Sequence, residues 1–234
     1  MKVSIVVTHL LGTGHLARAL TLARAYVADG HPTTVISGGM HAPQLDSQGV
    51  ELMQLPPLRS DGVNFAQLLD QSGLIADDAV FSARSAMLTE HTQSTRPDIL
   101  ITELFPFGRR TLAAEFVALL EAAHGLPRRP LICASIRDIL APPSKLAKAE
   151  RTDDLVEEFY DAVLVHADAD VTPLSLSWPV SDRLVDKLHY TGYVAPPPPL
   201  PHPDRVGQSE IIVSAGGGDV GAKVFDTCLA AAKR

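Results

Sequence analysis

Cysteine is nearly absent: Cys133 and Cys228 are the two in 234 residues, too few for a disulfide framework, and they point to a reducing compartment. Positive charge is also short, with 20 Lys and Arg against 27 Asp and Glu and a formal net charge of −7. No block of Lys or Arg interrupts that acidic balance. A nucleic-acid partner is excluded on this basis, because neutralising phosphates needs a clustered positive field. No apolar run approaches the ~20 residues of a membrane span. The apolar run after Met1-Lys2 reaches only Thr8, too short for a signal-peptide core, so a cytoplasmic location is expected. What remains is 46% hydrophobic residues in a chain long enough to bury a substantial core.

Short Val- and Ile-rich runs alternate with longer helical patterns, the signature of a Rossmann-like α/β fold with a parallel sheet and helices on both faces. Strands are expected at Val3–Thr8, Thr33–Ser37, Val50–Gln54, Ile99–Thr102, Leu131–Ser135, Ala162–Val165 and Leu188–Thr191. Several are apolar at successive positions, as in strands buried on both sides. Leu16, Leu20, Ala23 and Val27 line one face of a helix from Gly14 to Ala28 that Gly30 ends. Further helices are expected over Asp78–Thr95, Thr111–Ala123 and Asp153–Tyr160. The proline-rich segment 195–209 fits neither helix nor central strand and reads as a semi-rigid linker, or as display for a proline-recognising partner. Beyond it, Glu210–Ala215 reads as a strand, Gly216-Gly217-Gly218 as a turn and Val220–Ala232 as a helix. Residues 1–194 thus form one domain, and 210–234 the first strand and helix of a second, truncated Rossmann-like domain.

The first strand leads into Gly12-Thr13-Gly14-His15-Leu16-Ala17-Arg18. Glycines permit close backbone approach, and a new helix offers unpaired N–H groups and a positive dipole end to an anion. His15, in the first turn, is kept neutral by that dipole and suits a general base; Arg18, one turn on, suits a phosphate or carboxylate. The plain alternative is a strand-to-helix turn with a solvated His and Arg. The glycines also fit a dinucleotide fingerprint, but that needs an acid closing the second strand, where Ser37-Gly38-Gly39 stands instead.

In open parallel sheets ligands collect beyond the carboxyl ends of the strands. There stand Thr8-His9, Gly38-Gly39, Glu103 with Phe105-Pro106-Phe107-Gly108, Arg137-Asp138, and His166 with Asp168. Glu103 and Asp138 are the carboxylates available to orient His15 or grip a hydroxyl. Each group also has a plain role as a cap, ion pair or core histidine. Asp168-Ala169-Asp170 admits a divalent cation, but a turn serves as well. Arg109-Arg110 and Arg128-Arg129 read as solvated faces, and Lys145, Lys148 and Arg151 beside Leu146 as helix-surface charge or as a peripheral contact for an anionic membrane or acceptor.

In order along the chain, Gly12-x-Gly14-His15-x-x-Arg18, Gly30-His31, Ser37-Gly38-Gly39, Arg137-Asp138-Ile139-Leu140, Asp161–His166, Tyr190-Thr191-Gly192-Tyr193 and Gly216-Gly217-Gly218 resemble a GT-B glycosyltransferase. The resemblance is to predicted bacterial enzymes related to the peptidoglycan N-acetylglucosaminyltransferase family. It implies an acceptor held by the N-terminal domain, a nucleoside diphosphate sugar held by the C-terminal domain, and transfer to a hydroxyl with no cofactor and no obligatory metal. His15 then acts as base, with Glu103 and Asp138 in support. Gly12, Thr13, Gly14, Arg18, Gly38, Gly39, Arg137, His166, Gly216, Gly217 and Gly218 are expected to contact substrate, the acceptor being a glycan, lipid or small molecule. The family's later ribose-binding glutamate has no counterpart within these 234 residues. A nucleotide-sugar hydrolase carries a similar Gly-x-Gly-His-x-x-Arg pattern, and a non-catalytic fragment binding an acceptor or a partner chain is the third alternative.

Overall fold

The computed structural model describes residues 1–62, 67–198, 200–205, 207–214 and 221–232. Seven strands form one sheet: β1 (Val3–Val7), β2 (Thr33–Ser37), β3 (Glu51–Gln54), β4 (Ile99–Glu103), β5 (Leu131–Arg137), β6 (Ala162–His166) and β7 (Leu188–Tyr190). Their order is β3-β2-β1-β4-β5-β6-β7, and every pairing is parallel. The sequence order reverses between β1 and β4. That switch point opens a crevice beyond the carboxyl ends of the two central strands.

Because side chains alternate across a strand, each face takes every second residue. Val3, Ile5 and Val7 of β1, with Ile99 and Ile101 of β4, pack against Leu16, Ala19, Leu20 and Ala23 of α1 (Gly14–Ala28). Val6, Leu100, Ile132 and Val163 face the other way. They meet α2 (Asp78–Thr95), α3 (Ala113–His124) and α4 (Leu146–Phe159) through Leu88, Phe116 and Val156. A short α5 (Asp182–Val185) precedes β7.

The helix expected from Asp153 begins at Leu146, because Ala149, Thr152 and Val156 continue one buried stripe back through its first turn. Lys145, Lys148 and Arg151 lie on its exposed side. No strand forms at residues 210–214: no neighbouring strand lies beside them among the described residues, and a strand exists only through its pairing. α6 (Ala222–Ala232) follows, with none of its residues buried. Ala215, Gly216, Gly217, Gly218 and Val220 lie outside the described residues. Residues 195–198 and 200–205 are exposed and without helix or strand.

A buried ion pair ties the sheet edge to the helices. Arg84 of α2 is fully buried and meets Glu115 of α3 through Nε to Oε2 at 2.8 Å and Nη2 to Oε1 at 2.7 Å. Nη1 donates to the carbonyls of Gly38 and Pro56, and Nη2 to Thr8 Oγ1. All five guanidinium donors are engaged, which is the condition under which a buried cation is tolerated. Arg84→Met leaves Glu115 buried without its counterion and is expected to cost about 3–5 kcal/mol in urea denaturation. Adding Glu115→Leu should recover most of that loss, and a double variant as unstable as the single one would contradict the assignment.

Candidate functional site

Strand parity and register assemble the site. Glu103 closes β4 on the face that carries Ile99 and Ile101, and so points to the α1 side. Ser135 of β5 stands opposite it in the parallel register. His166 lies two residues beyond Leu164, the partner of Ser135, and therefore on the same face. Above them α1 brings His15 and Arg18, three residues apart and so neighbours on its surface.

His15 Nδ1 lies 2.9 Å from Glu103 Oε1, and Arg18 Nη2 donates to the same oxygen. The Ser135 hydroxyl donates to Oε2. Ser135 Oγ is also 3.0 Å from His166 Nε2, and His166 Nδ1 is 2.7 Å from Thr191 Oγ1. One hydrogen-bonded chain thus runs from α1 across β4, β5 and β6 to the residue after β7.

The proton order along this chain follows from one fact. Glu103 is ionised: burial opposes its charge, but hydrogen bonds from His15 and Arg18 and the charge of Arg18 hold its pKa below the usual range. A carboxylate only accepts, so Ser135 gives it its proton. Ser135 Oγ must then accept from His166 Nε2–H, leaving Nδ1 to accept from Thr191. Burial, which outweighs the attraction of Glu103, lowers the His166 pKa to about 4, so the ring is neutral as this order requires. At the other end, His15 donates Nδ1–H to Glu103 and keeps Nε2 as its acceptor. The His15 side chain is 23% exposed and Glu103 1%. The carboxylate is sealed in while the imidazole edge is reachable.

The other expected site residues divide. Gly12, Thr13 and Gly14 form the turn into α1. A Cβ on either glycine would meet nothing within 4 Å, so glycine keeps open space above the turn and is not demanded by packing. Thr13 provides no side-chain cap and the first turn has no acid, so the leading N–H groups of α1 keep their capacity for an anion. Arg18 is committed to Glu103 through Nη2. Gly38 and Gly39 are buried: a Cβ would lie 2.3 Å from Thr8 Oγ1 and 2.3 Å from the His9 carbonyl, so they are glycine for close packing. His166 is buried, with both ring nitrogens turned to Ser135 and Thr191.

Asp138 does not join His15. It pairs with exposed Arg137 at 3.2 Å; partial burial works against its charge, but the Ile139 N–H and Arg137 hold its pKa low. Asp168 is exposed and accepts from the Asp170 N–H in a local turn. Among the described residues no three His, Cys, Asp or Glu side chains converge as metal ligands.

Three contributors escaped the sequence. Ser135 looks like one more small residue in an apolar run, and a polar residue inside a buried strand was the available signal. Arg84 sits within a helix of little apolar contrast. Arg109, read as solvated, turns inward and donates from Nε to the Thr8 carbonyl. Its neighbour Arg110 lies over the Trp178 ring, 6.0 Å from the centroid.

No family model and no curated protein matches the chain. Among solved structures it is similar in fold to a glycosyltransferase from Rickettsia africae, with 13% identity, a TM-score of 0.49, and coverage of 81% of this chain and 42% of that one. It is also similar to Acinetobacter baumannii MurG, with 15% identity, a TM-score of 0.45, and coverage of 79% and 44%. The calicheamicin glycosyltransferase CalG4 gives 14%, 0.45, and coverage of 82% and 52%. The chain spans about half the length of the glycosyltransferases that it resembles. No described helix is long and apolar enough to cross a membrane.

Proposed function

We propose that this chain carries the acceptor-side half of a GT-B glycosyl-transfer site, with His15 as general base. The observation that carries this is the His15–Glu103 pair at the switch point, with Nδ1 held by a buried carboxylate and Nε2 left to accept. A carboxylate behind an imidazole fixes its tautomer and stabilises the imidazolium that forms when a proton arrives. The order of motifs along the sequence supports the transferase class.

In the proposed reaction the acceptor hydroxyl gives its proton to His15 Nε2 as its oxygen attacks the anomeric carbon of a nucleoside diphosphate sugar. The bond to the diphosphate breaks, and the leaving group departs with the electron pair. The open N–H groups at the Gly12–Gly14 turn are placed to stabilise negative charge near that centre. No metal ligand set is invoked. Residues 1–194 are proposed as the acceptor domain, 195–209 as a linker, and 210–234 as the opening of the donor domain.

The direct test is product analysis with a nucleotide-sugar mixture, with and without candidate hydroxyl acceptors. Transfer is expected, and His15→Gln should lower its rate by about 10²–10⁴. Turnover within a few-fold of the parent would remove His15 from the base role. Free sugar released without acceptor would assign a hydrolase instead, and saturable acceptor binding with no donor binding would assign a binding module.

Neutral His166 has a consequence for stability. Its folded pKa of about 4 lies below the ordinary 6.5, so between these values the unfolded chain binds the extra proton. Stability is therefore complete above about pH 6.5 and declines as pH falls toward 4, by something of the order of 3 kcal/mol. Glu103 acts in the same direction at the acidic end. Urea midpoints measured across pH 4–7 should show this slope, and His166→Gln should flatten it in part, His9 and His91, whose pKa values burial also lowers, keeping the rest. An unchanged slope in the variant would contradict the proton order given for the chain.

A further inference from the structure

Arg109 is a part-buried cation that differs from Arg84 and Arg18 in lacking a carboxylate partner among the described residues. Arg84 has all five donors engaged, and Arg18 holds Glu103. Arg109 has its Nε on the Thr8 carbonyl, and no carboxylate lies within 4.0 Å of its guanidinium among the described residues. Its backbone is left-handed, at φ 60°, a conformation that costs a side-chain-bearing residue about 1 kcal/mol or more. The preceding loop supports that geometry, with Phe105 stacked on Phe116 at 4.6 Å and Phe107 edge-on to Trp178 at 5.1 Å, all four buried in the core.

Thr8 follows β1 and Arg109 follows β4, so the bond between them bridges the two strands where the sheet order reverses. Glu103 attracts Arg109, but its oxygens are already taken by His15, Arg18 and Ser135. Burial lowers the Arg109 pKa to about 10, so it is a cation at neutral pH. Arg109 is part-buried, with Nε anchored and the Nη groups not sealed from solvent, so the planar fork can reach a ligand in the crevice and matches phosphate or carboxylate oxygens.

We infer that Arg109 forms an anion-binding position in the crevice beside the His15–Glu103 pair, taking a phosphate or carboxylate group of the bound ligand. The inference rests on the placement of Arg109 and not on glycosyl transfer, and its test needs no turnover. The group has two sources, a diphosphate or an acidic sugar, represented by inorganic pyrophosphate and glucuronate.

Calorimetric titration of the intact chain with each probe is the experiment. Saturable binding of at least one probe is expected, and the one that binds identifies the source. Arg109→Gln keeps a donor for the Thr8 carbonyl and removes the charge; it should weaken binding tenfold or more while thermal stability in ligand-free buffer stays close to the parent. Arg109→Lys, with charge but no fork, should fall between, and it carries the test if the Gln variant does not fold. Equal affinity in parent and folded variants, or no binding of either probe to the parent, would overturn the inference.

Discussion

The buried carboxylate of Glu103 is the constraint around which the site is arranged. An ionised group with 1% of its side chain exposed survives only if its oxygens are filled by donors. Two elements supply the three donors: α1 through His15 and Arg18, and β5 through Ser135. Each donor is fixed in turn, Ser135 by His166 and His166 by Thr191. Satisfying one charge therefore specifies the rotamers of residues on four neighbouring strands or their ends. Such a network is worth having only when complete, since a missing member leaves a buried polar group unpaired.

The same device appears at Arg84, and the two are complementary. Glu103 draws α1 down on one face of the sheet, whereas Arg84 and Glu115 hold α2 and α3 to the other and reach through to Thr8, Gly38 and Pro56. Thr8 also receives Arg109 at its carbonyl. The crevice floor is thus clamped from both layers. Gly38 belongs to this clamp: any side chain there would displace Thr8 or Arg84. Gly38, expected to contact substrate, is the space that a buried arginine needs, and Gly39 the space that His9 fills.

The strands were legible because parallel strands covered on both faces are written as Val and Ile runs. Three of them extend past their expected carboxyl ends in an informative way. β4 continues to Glu103, β5 to Arg137 and β6 to His166, polar residues that look like the start of a loop but still pair in the ladder. Once that is seen, parity alone puts Glu103, Ser135 and His166 on the α1 face. The choice between Glu103 and Asp138 as partner of His15 was not legible, because it depends on which strand abuts α1 at the switch point. Arg109 was hidden for a similar reason: a pair of arginines after a loop reads as solvated unless the loop is known to turn back into the core. The strand expected at residues 210–214 fails for the complementary reason, since strand character there depends on a neighbour that local sequence does not supply.

An imidazole backed by a carboxylate does not by itself choose between a sugar hydroxyl and water. Both present an O–H of similar size to Nε2, and the proton transfer is chemically the same. Selection has to come from what excludes water while an acceptor is bound. Here Glu103 is sealed but His15 is 23% exposed, and the turn above it is open because Gly12 and Gly14 carry no side chains. Arg18 bears on the same question. It shares Oε1 of Glu103 with His15 and so fixes the carboxylate that holds the imidazole in place. A ligand that supplies its own anion to the crevice and covers the Gly12–Gly14 turn would displace water from His15 at the moment of transfer. In the proposed reaction the balance between transfer and hydrolysis then depends less on the His15–Glu103 pair than on how completely the bound ligand closes the open side of the switch-point crevice.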